Sequence, residues 1–187
     1  MQLNIYNISH PIIQLLSNSI TNANISSYSS QTCDRYLGFL IIYEILRKYV
    51  TIKKLYIKLI NYTKQLYLLD IDTKYILLTN IEATYNMLID IQNLIPNIEI
   101  INIEIEHKNF NHTIENLKNK YSDSTKVYIF FLEKIINNEK IIKTLRYLEK
   151  YIDLNQINII CISIQENILH KLAIIYPKLK IYTTEII

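Results

Sequence analysis

The chain has a single glycine, Gly38, among 187 residues. Glycine lets a backbone take positive φ and approach a phosphate closely, and a phosphate-cradling loop needs several of them. Walker-type, dinucleotide-type and comparable nucleotide loops are therefore excluded by one count. The length suits one domain with a good-sized core. Half of the residues are apolar, and 20 basic against 17 acidic side chains leave a net charge of only +3. The longest apolar runs, such as Leu40–Tyr43 and Val127–Leu132, fall far short of the roughly 18–20 residues of a membrane span. No charged start followed by an apolar stretch and a small-residue cleavage site marks the N-terminus as an export signal.

Isoleucine (41), Asn (20), Lys (17) and Tyr (16) make up 94 of the residues. All four have A/T-rich codons, so the bias points to the genome, either that of an organelle or that of a parasite with strong A/T bias; a plastid-encoded, stromal protein is the expectation. The four glycosylation-type triplets, beginning at Asn7, Asn24, Asn61 and Asn111, carry no weight in so Asn-rich a chain. Cys33 and Cys161 lie far apart with no C-x-x-C pair, which suits a reducing compartment with two free thiols, one of them buried. The four histidines show neither i, i+4 pairing nor a nearby Cys. His107 and His112 beside Lys108 and Asn109 read as a surface loop, and no metal site is assigned.

Residues 17–34 are rich in Ser, Asn and Thr and predict a loop. From Arg35 to Tyr49, Leu37, Leu40, Ile41, Ile45 and Leu46 recur at helical spacing. Lys54–Ile60 and Gln65–Ile71 alternate and predict a hairpin. A short strand at Tyr75–Leu78 is followed by a helix from about Glu82 to Leu94, ending before Pro96, and by an alternating strand at Ile98–Ile105. After a polar loop at Glu106–Lys126 come a buried run at Val127–Leu132, a helix at about Glu139–Ile152 and a second buried run at Ile157–Ile164. A helix at about Glu166–Tyr176 and a strand at Lys180–Thr184 complete the chain. Alternating strands and helices with centrally buried runs predict an α/β fold with a mostly parallel sheet, preceded by a helical and hairpin extension.

Ligands of an open parallel sheet bind at the carboxyl ends of its strands. The connections there are Thr79–Ala83, Leu132–Ile141 and Ile164–Asn167. The stretch 132–140 leads from a buried strand to a helix, where a phosphate would meet helical N–H groups. It has no Gly, Ser or Thr, and it carries Glu133 and Glu139, which would oppose an anion. On these residues alone it is an ordinary connection.

Several motifs in their order resemble the uracil phosphoribosyltransferase family, whose fold is that of type I phosphoribosyltransferases. His10-Pro11 resembles the family's early His-Pro, and Tyr43-Glu44-Ile45-Leu46-Arg47 its Tyr-Glu-Ala-Thr-Arg. Tyr75 to Ile105 aligns without gaps on the strand–Leu-Arg-Ala-Gly–helix–Pro–strand segment, with Ala83, Met87 and Pro96 matching. Tyr176-Pro177-Lys178-Leu179-Lys180-Ile181-Tyr182-Thr183 is similar to the family's His-Pro-Asp-Val-x-(Ile/Leu)-Tyr-Thr. The resemblance covers nearly the whole chain. It implies a substrate pair of uracil and Mg²⁺-bound phosphoribosyl pyrophosphate (PRPP), and a homodimer.

The departures fall on the working residues. The family's pyrophosphate loop, Leu-Arg-Ala-Gly, is Ile81-Glu82-Ala83-Thr84 here, an anion for a cation. Its PRPP signature, Asp-Pro-Met-Leu-Ala-Thr-Gly-Gly-Ser, corresponds to 132–141, with the acidic position on Leu132 or Glu133 and the glycines gone. The family's Arg in the strand-to-arm connection falls on His107, and the glycine-rich uracil-binding tail has no counterpart before Ile187. The positions left are Glu133, Asn137, Asn138, Glu139 and Lys140 of the PRPP loop and Glu82, Ala83 and Thr84 of the pyrophosphate loop. None is assigned a catalytic or metal-binding role, and Mg²⁺ is implied only where PRPP still binds. The reaction builds charge on the ribose and the leaving pyrophosphate, and it depends on positioned donors and Mg²⁺. The expectation is a member without catalysis. A basic and aromatic stretch from Glu44 to Lys64, with Tyr49, Tyr56 and Tyr62, offers single-stranded RNA binding as an alternative, with a solvated hairpin the simpler reading. A weakly active enzyme is the second alternative.

Overall fold

The computed structural model describes residues 3–21, 27–103 and 126–187. Its centre is a parallel sheet built from β1 (Asn4–Asn7), β4 (Thr73–Thr79), β5 (Ile98–Asn102), β6 (Lys126–Ile136), β7 (Ile157–Ile164), β8 (Lys180–Thr183) and β9 (Glu185–Ile186). The strand order is β1-β8-β7-β6-β4-β5, with β9 pairing against β7. Helices α1 (Pro11–Thr21), α2 (Ser27–Tyr49), α3 (Ile81–Leu88) and α4 (Ile91–Leu94) cover one face; α5 (Lys140–Leu148) and α6 (Glu166–Ile175) cover the other. A separate two-stranded antiparallel sheet, β2 (Ile52–Lys58) with β3 (Thr63–Leu69), is the predicted hairpin.

The period of two in a strand explains the two cores. Along β4, Tyr75 and Leu77 join the core under α1–α4, while Ile76 and Leu78 join the core under α5 and α6. All eight residues of β7 are buried, the mark of a strand covered on both faces. Cys161 lies in that strand and Cys33 is half-buried in α2; both thiols are free. Among the described residues, no helix is long and apolar enough to cross a membrane.

Five expectations need correction. Residues 17–21 and 27–34, expected as loop, are helical: α1 runs to Thr21 and α2 begins at Ser27, with 22–26 outside the described residues. Ser17 and Ser19 return their hydroxyls to the carbonyls of Gln14 and Leu15, each at 3.0 Å, so the serines satisfy themselves inside a helix held by packing. Pro11 opens α1 at the position where its missing N–H costs nothing. The single helix expected over 82–94 is broken at Asp90 into α3 and α4. β5 ends at Asn102, where Ile103 donates its amide to the Thr79 carbonyl at 2.8 Å, and 104–105 lie outside the described residues. β6 does not stop at Leu132 but continues to Ile136. The edge strands β1 and β9 were not expected from the pattern; they are four and two residues long, too short for a period to register. The loop at Glu106–Lys126, including His107, falls outside the described residues except for Lys126, the first residue of β6.

Candidate functional site

Neighbouring strands β4 and β6 feed helices on opposite faces, α3 below one and α5 below the other, so their carboxyl ends form the switch point of the sheet. Of the eight positions singled out from the sequence, Ala83, Thr84, Glu133 and Lys140 line the crevice there, whereas Glu82, Asn137, Asn138 and Glu139 do not. Asn80, Ala83 and Thr84 line one wall, Leu132 and Glu133 the second, and Lys140 and Ile141 the third. The space between them is about 60 Å³. Pockets for small molecules usually measure about 300–1,000 Å³.

The pyrophosphate-loop positions form the first turn of a helix. Asn80 caps α3, accepting the Glu82 amide on its side chain at 3.1 Å. Asn102 reaches over from β5 and accepts the Ile81 amide at 3.0 Å. These N–H groups are among those a helix start would offer to a phosphate, and here two side-chain amides hold them. Glu82 is exposed in that first turn, where a carboxylate favours the positive end of the helix. Thr84 is buried and turned inward. Thr79 donates its hydroxyl to the Leu132 carbonyl at 2.7 Å and meets the Thr84 hydroxyl at 2.8 Å, while Thr84 also reaches the Asn80 carbonyl at 2.8 Å.

The PRPP-loop positions are likewise engaged. β6 runs on through Glu133, Lys134, Ile135 and Ile136 because that stretch has β-branched residues, no glycine or proline, and a partner strand along most of its length. Glu133 pairs with Cys161, Ile135 with Ser163 and Ile136 with Ile164. Only Asn137, Asn138 and Glu139 remain as a connection, all exposed. Asn138 accepts the Lys140 amide on its side chain at 2.9 Å, which satisfies a donor at the start of α5. Glu139 pairs with Lys171 of α6, and that ammonium draws its carboxyl below the usual range. Lys134 points to the other face and pairs with Asp34 of α2 at 2.7 Å. Of Leu132 and Glu133, only Glu133 brings oxygen to the crevice. Burial raises its carboxyl pKa, with the Lys140 charge acting the other way. Burial likewise pushes the Cys161 thiol up to about 12, which makes it inert as a nucleophile.

A larger cavity, about 330 Å³, opens at the β1 edge of the sheet between the end of that strand and the last turns of α2. Sequence reasoning did not find it, because its walls come from residues 6–10, 44–48 and 182. A signal was present nonetheless: His10, Glu44, Arg47 and Tyr182 all belong to motifs that carried the family resemblance.

The family model described as Uracil phosphoribosyltransferase matches residues 7–186. This chain belongs to the uracil phosphoribosyltransferase family. Proteins named Uracil phosphoribosyltransferase homolog from Pyropia yezoensis and Porphyra purpurea are 28% and 29% identical to it across the whole chain, each covered over 89% of its own length. A solved structure, the AQ2163 protein from Aquifex aeolicus, shares the fold with a TM-score of 0.69 at 15% identity, over 97% of this chain and 86% of that one. The family scaffold is thus retained along the chain, with a central parallel sheet flanked by helices. This member carries Glu82 in the helix start after β4, and its β6 continues as strand after Leu132.

Proposed function

We propose that this uracil phosphoribosyltransferase homologue does not transfer phosphoribosyl groups and serves as a non-catalytic, homodimeric member of the family. The observation that carries the reading is the filling of the switch-point crevice by the protein's own groups. Amide oxygens of Asn80, Asn102 and Asn138 hold the helix-start donors that a phosphate would need. The remaining space is about 60 Å³, below the roughly 300–1,000 Å³ usual for a small-molecule pocket. Glu82 and Glu133 add negative charge where PRPP would bring more. No donor set for Mg²⁺ is assigned, and an Mg²⁺ role would return only with PRPP binding.

The test is calorimetric titration of the folded protein with Mg²⁺ and PRPP, then with uracil, beside a thermal melt. A bound ligand at a hundred times its Kd would stabilise the fold by about 2.7 kcal/mol. The expected result is no heat and no shift in Tm; micromolar PRPP binding would overturn the proposal and restore the enzyme reading.

The dimer is supported by the hairpin. Its register puts Leu55, Ile57, Leu66 and Leu68 on one face with Lys53 and Lys64, Leu55 standing opposite Leu66, Ile57 opposite Lys64 and Leu68 opposite Lys53. Leu55 and Leu68 are each 46% exposed. A lone two-stranded hairpin is marginal in water, and the four aliphatic side chains of this face favour a second protein surface. RNA binding is less well supported. Lys53 lies 2.6 Å from both Asp70 and Asp72, so the basic stretch is partly neutralised. The A/T-type composition supports a plastid origin, which fractionation of the source cells would test.

A further inference from the structure

We propose that the cavity at the β1 edge binds a mononucleotide, its phosphate held by Lys48 and Arg47 and its base laid against Tyr6. The site is separate from the switch-point crevice and shares none of its lining residues. The inference therefore does not depend on whether the crevice binds PRPP.

Three features support it. The first is size: about 330 Å³, within the range of small-molecule pockets and several times the crevice. The second is charge. Lys48 and Arg47 stand on the last turn of α2, with Glu44 as the carboxylate on the same wall. Arg47 binds Glu44 through Nη1 alone at 3.1 Å, and its side chain is 65% exposed. The rest of its fork is open to the two-point contact a phosphate favours. The Lys48 ammonium sits 4.4 Å from the centre of the Tyr6 ring and 5.0 Å from that of Tyr182, anchored beside the rings.

The third feature is a rigid aromatic platform. Tyr6 stacks on Tyr182 with centroids 4.8 Å apart and planes 14° from parallel. Tyr182 is fixed from behind, since its hydroxyl meets that of Tyr49 at 2.7 Å and Tyr49 donates to the Asn158 side chain at 2.7 Å. Tyr6 itself keeps 38% of its surface exposed, so it offers a ring already held in place.

Stacking is tolerant of base identity, because every base has a π-face. UMP and AMP should therefore bind within about fivefold of each other, and inorganic phosphate at least about tenfold more weakly than either. Titration of the full chain by calorimetry and by NMR with inorganic phosphate, ribose 5-phosphate, UMP and AMP tests this. Lys48→Ala should weaken UMP about tenfold or more, and Tyr6→Leu should reduce UMP to the affinity of ribose 5-phosphate. Lys140→Ala, in the crevice, should change neither. Lys48→Arg keeps charge and stem, so it should retain binding and guards against a folding artefact in the alanine variant. No binding of UMP or AMP up to millimolar concentration, phosphate binding as tightly as UMP, or loss on Lys140→Ala with none on Lys48→Ala would each overturn the proposal. The last pattern would place the ligand in the crevice and also contradict the proposed inactivity there.

Discussion

Glu133 carries its carboxyl into a crevice walled by Thr84, Leu132 and Ile141, and burial raises its pKa above the ordinary carboxylate range. The folded protein therefore holds that proton more tightly than the unfolded chain. As pH rises from the unfolded value through the folded one, the unfolded state releases the proton first, so stability falls; above the folded value the cost is constant. Glu133→Gln keeps the shape and removes the charge. We expect a higher Tm than the parent at pH 7, with the difference closing at about pH 4 and below, where both side chains are neutral. Equal melting curves at both pH values would show that the carboxyl is solvated as in water. Gly38 makes a second residue-level case. A Cβ there would lie 2.4 Å from the Met87 carbonyl oxygen and 2.6 Å from its Cα, both backbone atoms of α3. Helix propensity alone would make Gly38→Ala stabilising by about 1 kcal/mol. Contact with α3 reverses the sign, and we expect a net loss of about 1–3 kcal/mol in urea denaturation.

At the scale of elements, the hairpin has two dissimilar faces. Ile52, Lys54, Tyr56, Lys58 and their partners Leu69, Tyr67, Gln65 and Thr63 share one; Leu55, Ile57, Leu66 and Leu68 dominate the other. If the apolar face seats a second copy, Leu55→Glu with Leu66→Glu places two like charges directly opposite each other and removes the surface. Light scattering at micromolar concentration should then give a monomeric mass, with the main fold intact by circular dichroism. Tyr56→Ser on the opposite face should leave the dimer in place. A monomeric parent protein would sink the idea outright. The hairpin, β4, β7 and α6 were legible because period and turn chemistry agreed within each segment. The 17–34 segment was not, since α1 and α2 are held by burial of Ile13, Leu37 and Ile41 rather than by the propensity of their serines and threonines. β6 was underestimated because Glu133 and Lys134 interrupt an apolar run while pairing with β7 and Asp34 across space. Ala83, Thr84, Glu133 and Lys140, singled out from order and spacing, line the crevice, while Glu82, Asn137, Asn138 and Glu139 stand outside it. That Asn80, Asn102 and Asn138 would cap its donors was not legible, because nothing local distinguishes a capping Asn from the many others in so Asn-rich a chain.

At the scale of the molecule, the family scaffold is retained, and the proposed inactivity concerns only the loops at the ends of its strands. The sheet order brings β4 and β6 together whatever their loops contain, because burial of alternating residues on both faces of the strands fixes it. The site depends on short segments that contribute little to that burial, so it changes without unfolding the chain. This predicts what a graft will do. Glu82→Arg alone restores the missing cation, but it leaves Asn80 and Asn102 on the α3 amides and β6 paired to β7 as far as Ile136. A long-stemmed cation on the surface cannot open a 60 Å³ crevice. We therefore expect Glu82→Arg to remain silent in PRPP calorimetry. Replacing 133–141 by the family's nine-residue Asp-Pro-Met-Leu-Ala-Thr-Gly-Gly-Ser stretch together with Glu82→Arg should give the first measurable binding, since only that change ends the strand early and frees donors at the start of α5. Binding by Glu82→Arg alone would mean that charge, not backbone course, closed the site. Silence in the double graft, with the protein folded, would move the cause to the neighbouring Asn caps, which Asn102→Ala would then relieve.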